Sequence, residues 1–457
     1  MNTNKQQILA LMAAITCCLS IQPAFSANWL MLQGTEKVGE APRAQVWGFI
    51  QAQYQKDTSD PNAAGGYIPP KLIGPNLNSQ EQFNIIRARV GVRGNGYPLD
   101  SKVNYFVLAE FGNNGITAPS NRSATITDAS ITLNQIPGAR IRVGLFKYPG
   151  AEEGLQAITV FDYINFTAVT NQLLLERFPN QNYTANVPSQ PLPPAIPLNA
   201  FDKSVGAFRD TGVQVFDSFI VNGWDHSYAV MLANGNGINY GDNDDNKDLY
   251  LYWSSELIFG GQGARREGLK LFAWNQSGKR LLDDTNDGIY NPQEYNRDRS
   301  GVGAKYLKKP FRVTAEYMTG KGMIFVGPDK PSFYINDGAP AAQGVGNGAQ
   351  GEANGYYLEG GWYIPDTKWE IDLRYDVYNR LTDDNAFPSG PNVGKTFEMQ
   401  FSGITVGTQY HINKKTRINA EVAFNQADAV DWASGTGPND NLDGIGNRYA
   451  IQVTHIF

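Results

Sequence analysis

Beyond residue 18 this chain has no cysteine; Cys17 and Cys18 are its only two, and both lie within its first 26 residues. The remainder can form no disulfide, haem thioether or zinc–thiolate centre, so hydrogen-bond ladders or sheer size must hold it. Long apolar runs are missing too. No segment approaches the roughly 18 apolar residues that a membrane-spanning helix needs, which excludes a helical membrane protein. Histidine is scarce, with only His226, His411 and His455. None has a serine or aspartate placed to suggest a triad, and no nucleophile-elbow motif occurs, which argues against a hydrolase. Positive charge is also in deficit. The chain has 38 basic and 44 acidic residues, and setting aside the single lysine of the first 26 residues leaves a net charge of −7. That argues against nucleic-acid binding.

What is present starts with those 26 residues, which read as a secretory signal. Lys5 supplies the positive start, Ile8 to Leu19 a short apolar core, and Ala24-Phe25-Ser26 a small-x-small cleavage site. Residues 27–42 follow as a short N-terminal segment. The rest carries most of the chain's 48 Gly, 23 Tyr and 23 Phe, with apolar residues spread in short alternating runs. Such a composition fits a transmembrane barrel, in which half of each strand faces water. It also fits a large secreted β domain, so the pattern along the chain must decide.

The last eleven residues show the pattern best. Tyr449, Ile451, Val453, His455 and Phe457 share one face, while Arg448, Ala450, Gln452 and Thr454 share the other. Similar alternation predicts strands near 43–54, 83–93, 102–111, 124–134, 139–147, 211–221, 226–233 and 248–260. Eight more follow near 268–276, 300–308, 311–319, 354–364, 368–380, 396–411, 416–425 and 447–457. Their connections alternate strictly between short and long, the long ones rich in Gly, Pro, Asn and Asp. In an antiparallel barrel that alternation puts all long loops at one end, and a soluble sandwich has no reason to sort loops so. The expected fold is therefore an all-β, 16-stranded antiparallel transmembrane β-barrel over 43–457, with long extracellular loops and short periplasmic turns in the outer membrane. Tyr317, Trp362, Trp369 and Tyr410 near strand ends suit aromatic girdles.

Several blocks then carry a resemblance. Ile86-Arg-Ala-Arg-Val-Gly-Val-Arg-Gly94, Ile126-Thr-Asp-Ala129, Ile141-Arg-Val-Gly-Leu-Phe-Lys-Tyr-Pro149 with Glu153-Gly-Leu155, and Leu175-Glu-Arg-Phe178 occur in that order. Together they resemble the phosphate-selective porin O and P family over about 83–178. The resemblance implies a sixteen-stranded, usually trimeric outer-membrane channel preferring inorganic anions such as phosphate. On the residues alone, Arg87, Arg89 and Arg93 would share the lumen face of their strand about 7 Å apart, with Ile86, Ala88, Val90 and Val92 facing lipid. Arg140 and Arg142 lie on the polar face of 139–147. Guanidinium stays charged and its planar fork suits phosphate or carboxylate, so such a column would draw small anions. Pairing of these arginines with lumen carboxylates such as Glu110 and Asp128 is the competing reading.

The connection 148–210 is by far the longest, and part of it is expected to fold into the lumen as a constriction, stiffened by the prolines of 188–197. Lys147, Arg177, Lys203 and Arg209 would add positive charge there. The inferred lumen face of the second half is acidic instead, with Glu316, Glu359, Glu370, Asp372, Asp376, Glu398 and Glu421. A basic wall opposite an acidic one would suit a general, non-selective porin. Asp283 to Glu294 nearly fits a twelve-residue calcium loop, with Asp283, Thr285, Asp287 and Glu294 as ligands, and a surface Ca²⁺ there would bridge lipopolysaccharide phosphates. No other cofactor is expected. The sequence thus points to a passive channel for small hydrophilic, anionic or polar solutes, in contact with outer-membrane lipid and lipopolysaccharide. A scaffold for a partner protein, or an outer-membrane hydrolase, are the remaining readings.

Overall fold

The computed structural model describes residues 28–32, 35, 43–60, 80–96, 100–114, 116–117, 124–175, 206–238, 241–242, 244–261, 265–282, 293–324, 350–383, 390–437 and 439–457. Sixteen strands follow one another. They are β1 (Gln45–Asp57), β2 (Glu81–Gly96), β3 (Asp100–Glu110), β4 (Thr125–Leu133), β5 (Arg140–Lys147), β6 (Arg209–Val221), β7 (Trp224–Ala233) and β8 (Asp248–Gly260). The second half has β9 (Glu267–Leu282), β10 (Gln293–Lys308), β11 (Phe311–Lys321), β12 (Glu352–Tyr363), β13 (Trp369–Arg380), β14 (Met399–His411), β15 (Thr416–Ala429) and β16 (Arg448–Ile456). Each strand pairs antiparallel with its sequence neighbours, and β1 pairs with β16, so the sheet closes on itself. Closure leaves no unpaired edge, the condition for a sheet to cross lipid.

The period-two pattern sets which face meets which medium. On β13, Trp369, Ile371, Leu373 and Tyr375 are exposed on the outside, while Glu370, Asp372, Arg374 and Asp376 are buried within. The same holds on β16, where Tyr449, Ile451 and Val453 are exposed and Arg448, Ala450, Gln452 and Thr454 are buried. The outer surface is thus a belt of Val, Ile, Leu and aromatics, and the charges are inside. In water this arrangement would be inverted and unstable; in a bilayer it is the favourable one. A one-residue slip would put each strand's charges into lipid, at about 2–4 kcal/mol for each Arg or Lys at the midplane, so register is firmly set. Trp369 meets Tyr410 in a tilted ring contact, with centroids 4.7 Å apart, at the end of the belt where the tight turns lie.

The closing seam depends on one glycine. Phe457 exchanges backbone hydrogen bonds with Gly48, N to O at 3.0 Å and O to N at 3.4 Å. Its ring lies over Gly48, where a Cβ would sit only 2.4 Å from the ring edge and 2.4 Å from the Arg89 carbonyl. Three expectations need correction. Ile86 does not face lipid: the register of β1 against β2 shifts between Gln51 and Ala52, and Ile86, at this bulge, turns inward and is buried. Glu398 does not face the lumen; it precedes β14 and shares parity with the exposed Gln400 rather than the buried Met399. The β9–β10 hairpin is longer than its apolar alternation suggested. Its far part is built from residues such as Ser277, Lys279, Glu294 and Asp298 that pair across the strands, Lys279 with Glu294 at 2.8 Å. That part lacks the lipid-facing alternation that reveals a strand in sequence.

Candidate functional site

The lumen is where charge converges, and the connection after β5 enters it. Tyr148–Leu175 runs inside the wall, with nearly every residue buried. Two short turns organise it, a helical turn at Glu152–Leu155 and a wider one at Thr170–Leu174. Phe161, Ile164, Val169, Leu173 and Leu174 are buried along it, and the last three belong to an apolar cluster shared with the wall. Its polar backbone needs partners that water no longer supplies, and the barrel wall provides them.

Those partners include three of the acids inferred from the second half of the chain, Glu316, Asp376 and Glu421. Glu421 accepts the backbone N–H groups of Ile164 (2.7 Å) and Asn165 (3.1 Å), and Asp376 accepts that of Ala168 (2.8 Å). Glu316 accepts from the Glu152 backbone, the Trp274 indole and the Tyr357 hydroxyl. Such hydrogen bonds are worth about 0.5–1.5 kcal/mol each, so together the acids fasten the inward segment. Cations complete the fastening. Arg312 meets Asp162 of the segment at 3.0 Å and the wall residues Asp372 and Glu370 at 2.6 and 3.2 Å. Arg265, in the β8–β9 turn, reaches Asp162 at 2.6 Å and Glu370 at 2.9 Å. At Glu370 and Asp372 the acidic wall is therefore neutralised by these cations.

Two adjacent carboxyls of the segment are tuned in opposite directions. Burial pushes Glu152 upward, but Lys270 at 2.7 Å and Lys305 at 3.3 Å outweigh it and hold the group at about 2. Burial dominates for Glu153, which is pushed up to about 7 despite Arg374 and the Thr167 hydroxyl. Two neighbouring carboxyls of the inward segment are thus shifted in opposite directions by what surrounds each.

The basic residues singled out by sequence fall into two groups. Arg87, Arg89, Lys147 and Arg209 line one cavity of about 30 Å³, room for a water or two, between the wall and the inward segment. Arg89 pairs with Glu110 at 2.6 Å and Arg209 with Asp128 at 3.1 Å. Lys147 donates to the Gly154 and Gln156 carbonyls at 2.8 and 2.7 Å. Arg87 differs: its one hydrogen bond among the described residues goes to the Gln51 amide oxygen at 2.9 Å, and no carboxylate among them pairs with it. The rest lie apart from this cavity. Arg93 sits over the Phe106 ring, Arg140 pairs with Asp217 at 3.2 Å, and Arg142 stacks on Phe216 at 4.3 Å. Arg177 and Lys203 lie outside the described residues, as do Asp283, Thr285 and Asp287. Glu294, the remaining member of the calcium-loop pattern, pairs with Lys279 of β9 and accepts from Asn246 of the β7–β8 connection.

Sequence reasoning missed two elements of the lumen. Lys270, Lys305 and Arg312 share the inward parity of their strands, a signal that the sequence does carry, whereas Arg265 lies in a turn and has none. The second is Asn28–Leu32, which sits inside the barrel with Trp29 and Leu30 buried. The histidines form no catalytic set. His226 Nδ1 lies 2.8 Å from Ser255 Oγ, but between Phe219 and Trp253 on the outer face; His411 meets Glu370 at 3.3 Å and His455 meets Thr416 at 2.9 Å.

No protein-family model matches this chain, and no curated protein matches it either. Solved structures do. An anion-selective porin from Comamonas acidovorans is 14% identical, with 92% of this chain and 100% of that one covered and a TM-score of 0.52. The outer membrane channel DcaP of Acinetobacter baumannii is 13% identical, with 93% and 100% covered and a TM-score of 0.51. Pseudomonas putida OprB is 8% identical, with 91% and 94% covered and a TM-score of 0.52. The likeness is one of fold, the closed barrel of outer-membrane porins.

Proposed function

We propose that the protein is a passive outer-membrane diffusion channel for small hydrophilic solutes, with a preference for inorganic anions such as phosphate. A porin-like barrel with an inward segment supports the channel. The preference is supported chiefly by Arg87, a buried guanidinium with no carboxylate partner among the described residues, which shares a cavity with Arg89, Lys147 and Arg209. Net positive potential at a narrow, low-dielectric point raises the local concentration of anions and slows cations. One neighbour of the fold is described as anion-selective, which agrees with this reading. Membership of the porin O and P type, assembly as a homotrimer and export through residues 1–26 belong to the same proposal.

Pairing of Arg89, Arg209 and Arg140 with carboxylates favours a second reading, a general porin with little ion preference. Bilayer recordings under a salt gradient separate the two. The first reading expects a reversal potential of anion sign, inhibition of chloride current by phosphate, and a loss of that preference in Arg87→Ala. A cation-signed potential, or chloride current indifferent to phosphate, rules it out.

A further inference from the structure

The inner face of β5, β6 and β7 departs from the charged character of the rest of the wall. Phe146, Phe216, Ala229 and Met231 point inward there and are fully buried. An apolar patch inside a water-filled channel is unfavourable unless something covers it. Its cover includes the chain's own Asn28–Leu32, with Trp29 and Leu30 5% and 2% exposed within the same apolar cluster.

The seat is specific as well as apolar. The Asn28 amide donates to Ser227 Oγ of β7, and the Leu30 carbonyl accepts from Arg142 of β5 at 3.2 Å. Met31 Sδ lies 3.4 Å from the Arg140 guanidinium. On its other side the segment touches the inward connection, where the Trp29 indole donates to Glu152 at 2.8 Å and its ring lies 5.6 Å from the Lys305 ammonium. Trp29 therefore joins three lumen elements: the β5–β7 wall, the inward segment and β10.

We propose that Asn28–Leu32 is a specificity-determining part of the constriction, occupying lumen cross-section on the β5–β7 side and steadying Glu152 through Trp29. The proposal rests on the reading of this barrel as a diffusion channel. It makes the solute cut-off depend on a stretch of chain that belongs to no strand. Displacing that stretch widens the path and exposes the Phe146–Phe216 patch.

Seating and gating are tested separately. The full-length exported protein carrying Asn28→Cys and Ser227→Cys has no other thiol beyond residue 18. A short, reducible bis-methanethiosulfonate should link the pair within one chain, seen as altered mobility after denaturation, and should link neither single variant. In bilayers, the Trp29→Ala/Leu30→Ala variant should conduct at least about twice as well as the parent. Should that variant fail to insert, Trp29→Phe, which removes the indole N–H to Glu152 and trims the ring, should still raise conductance by a smaller factor. Absence of the cross-link overturns the seat, and parent-like conductance in an inserted variant overturns the role in the constriction. Cross-linking in the double-cysteine protein together with a parent barrel that inserts but carries no current overturns the channel reading, and the gating role with it.

Discussion

Replacing Glu152 by glutamine tests whether charge holds the inward segment in the lumen. The carboxylate is 2% exposed and receives Lys270 at 2.7 Å, Lys305 at 3.3 Å and the Trp29 indole at 2.8 Å. Its value of about 2, against an ordinary 4.5, is equivalent to about 3 kcal/mol favouring the docked segment at neutral pH. The docked value is the lower one, so this contribution is complete above about 4.5 and lost as pH falls toward about 2. Glu152→Gln removes it at all pH values and leaves two ammonium groups facing a neutral amide. Undocking then becomes easier by roughly a hundredfold, since about 1.4 kcal/mol is tenfold. Hydrogen exchange of the backbone amides between residues 152 and 174 reads this directly. The expected result at pH 7 is about hundredfold faster exchange there, with strand amides unchanged. Protection within about threefold of the parent refutes the reasoning and assigns the docking to the packing of Leu155, Phe161, Val169 and Leu173. Equal loss of protection in the strands refutes it too, because the charge then holds the barrel rather than the segment.

Two further outcomes follow from the same structure. Burial raises Glu153 to about 7, so its contribution to docking is full below about 4.5 and declines as pH rises through about 7. Open-channel current noise in the parent should therefore increase between about pH 5 and 8, and Glu153→Gln should flatten that dependence; an unchanged profile removes Glu153 from the pH response. Gly48→Val should destabilise the β1–β16 closure by about 1–3 kcal/mol through overpacking against the Phe457 ring and the Arg89 carbonyl. A lower unfolding temperature by heat-dependent gel mobility checks it, and parent-like stability would mean that the seam relaxes at no cost.

Much of the wall was legible because a barrel strand advertises itself twice, by its apolar outer face and by its polar inner one. Trp369 to Asp376 is the clearest case: each residue's medium follows from its parity alone. The far part of the β9–β10 hairpin was not legible, because neither of its faces meets lipid and the alternation stops at about Gln276. Ile86 misled for a different reason. Parity holds only while the register does, and a bulge one residue long reverses it.

The lumen divides along the same line. Charge type and inward parity suffice to place Arg87, Arg89 and Glu421 on the inner wall, since those are local properties of a strand. Pairing is not local. Whether Arg89 stays free or meets Glu110 depends on how two strands register, and whether Glu421 faces solvent or caps the Ile164 and Asn165 amides depends on a segment more than 250 residues away in the chain. Hydrophobic period and loop alternation were enough to specify a sixteen-stranded closed sheet with lipid outside. The length of the 148–210 connection suggested an inward loop, but the contacts that seat what fills that sheet were settled by tertiary structure. A connecting segment and five N-terminal residues carry no periodic signal, and their place is chosen by whichever buried charges and apolar patches of the wall most need a partner.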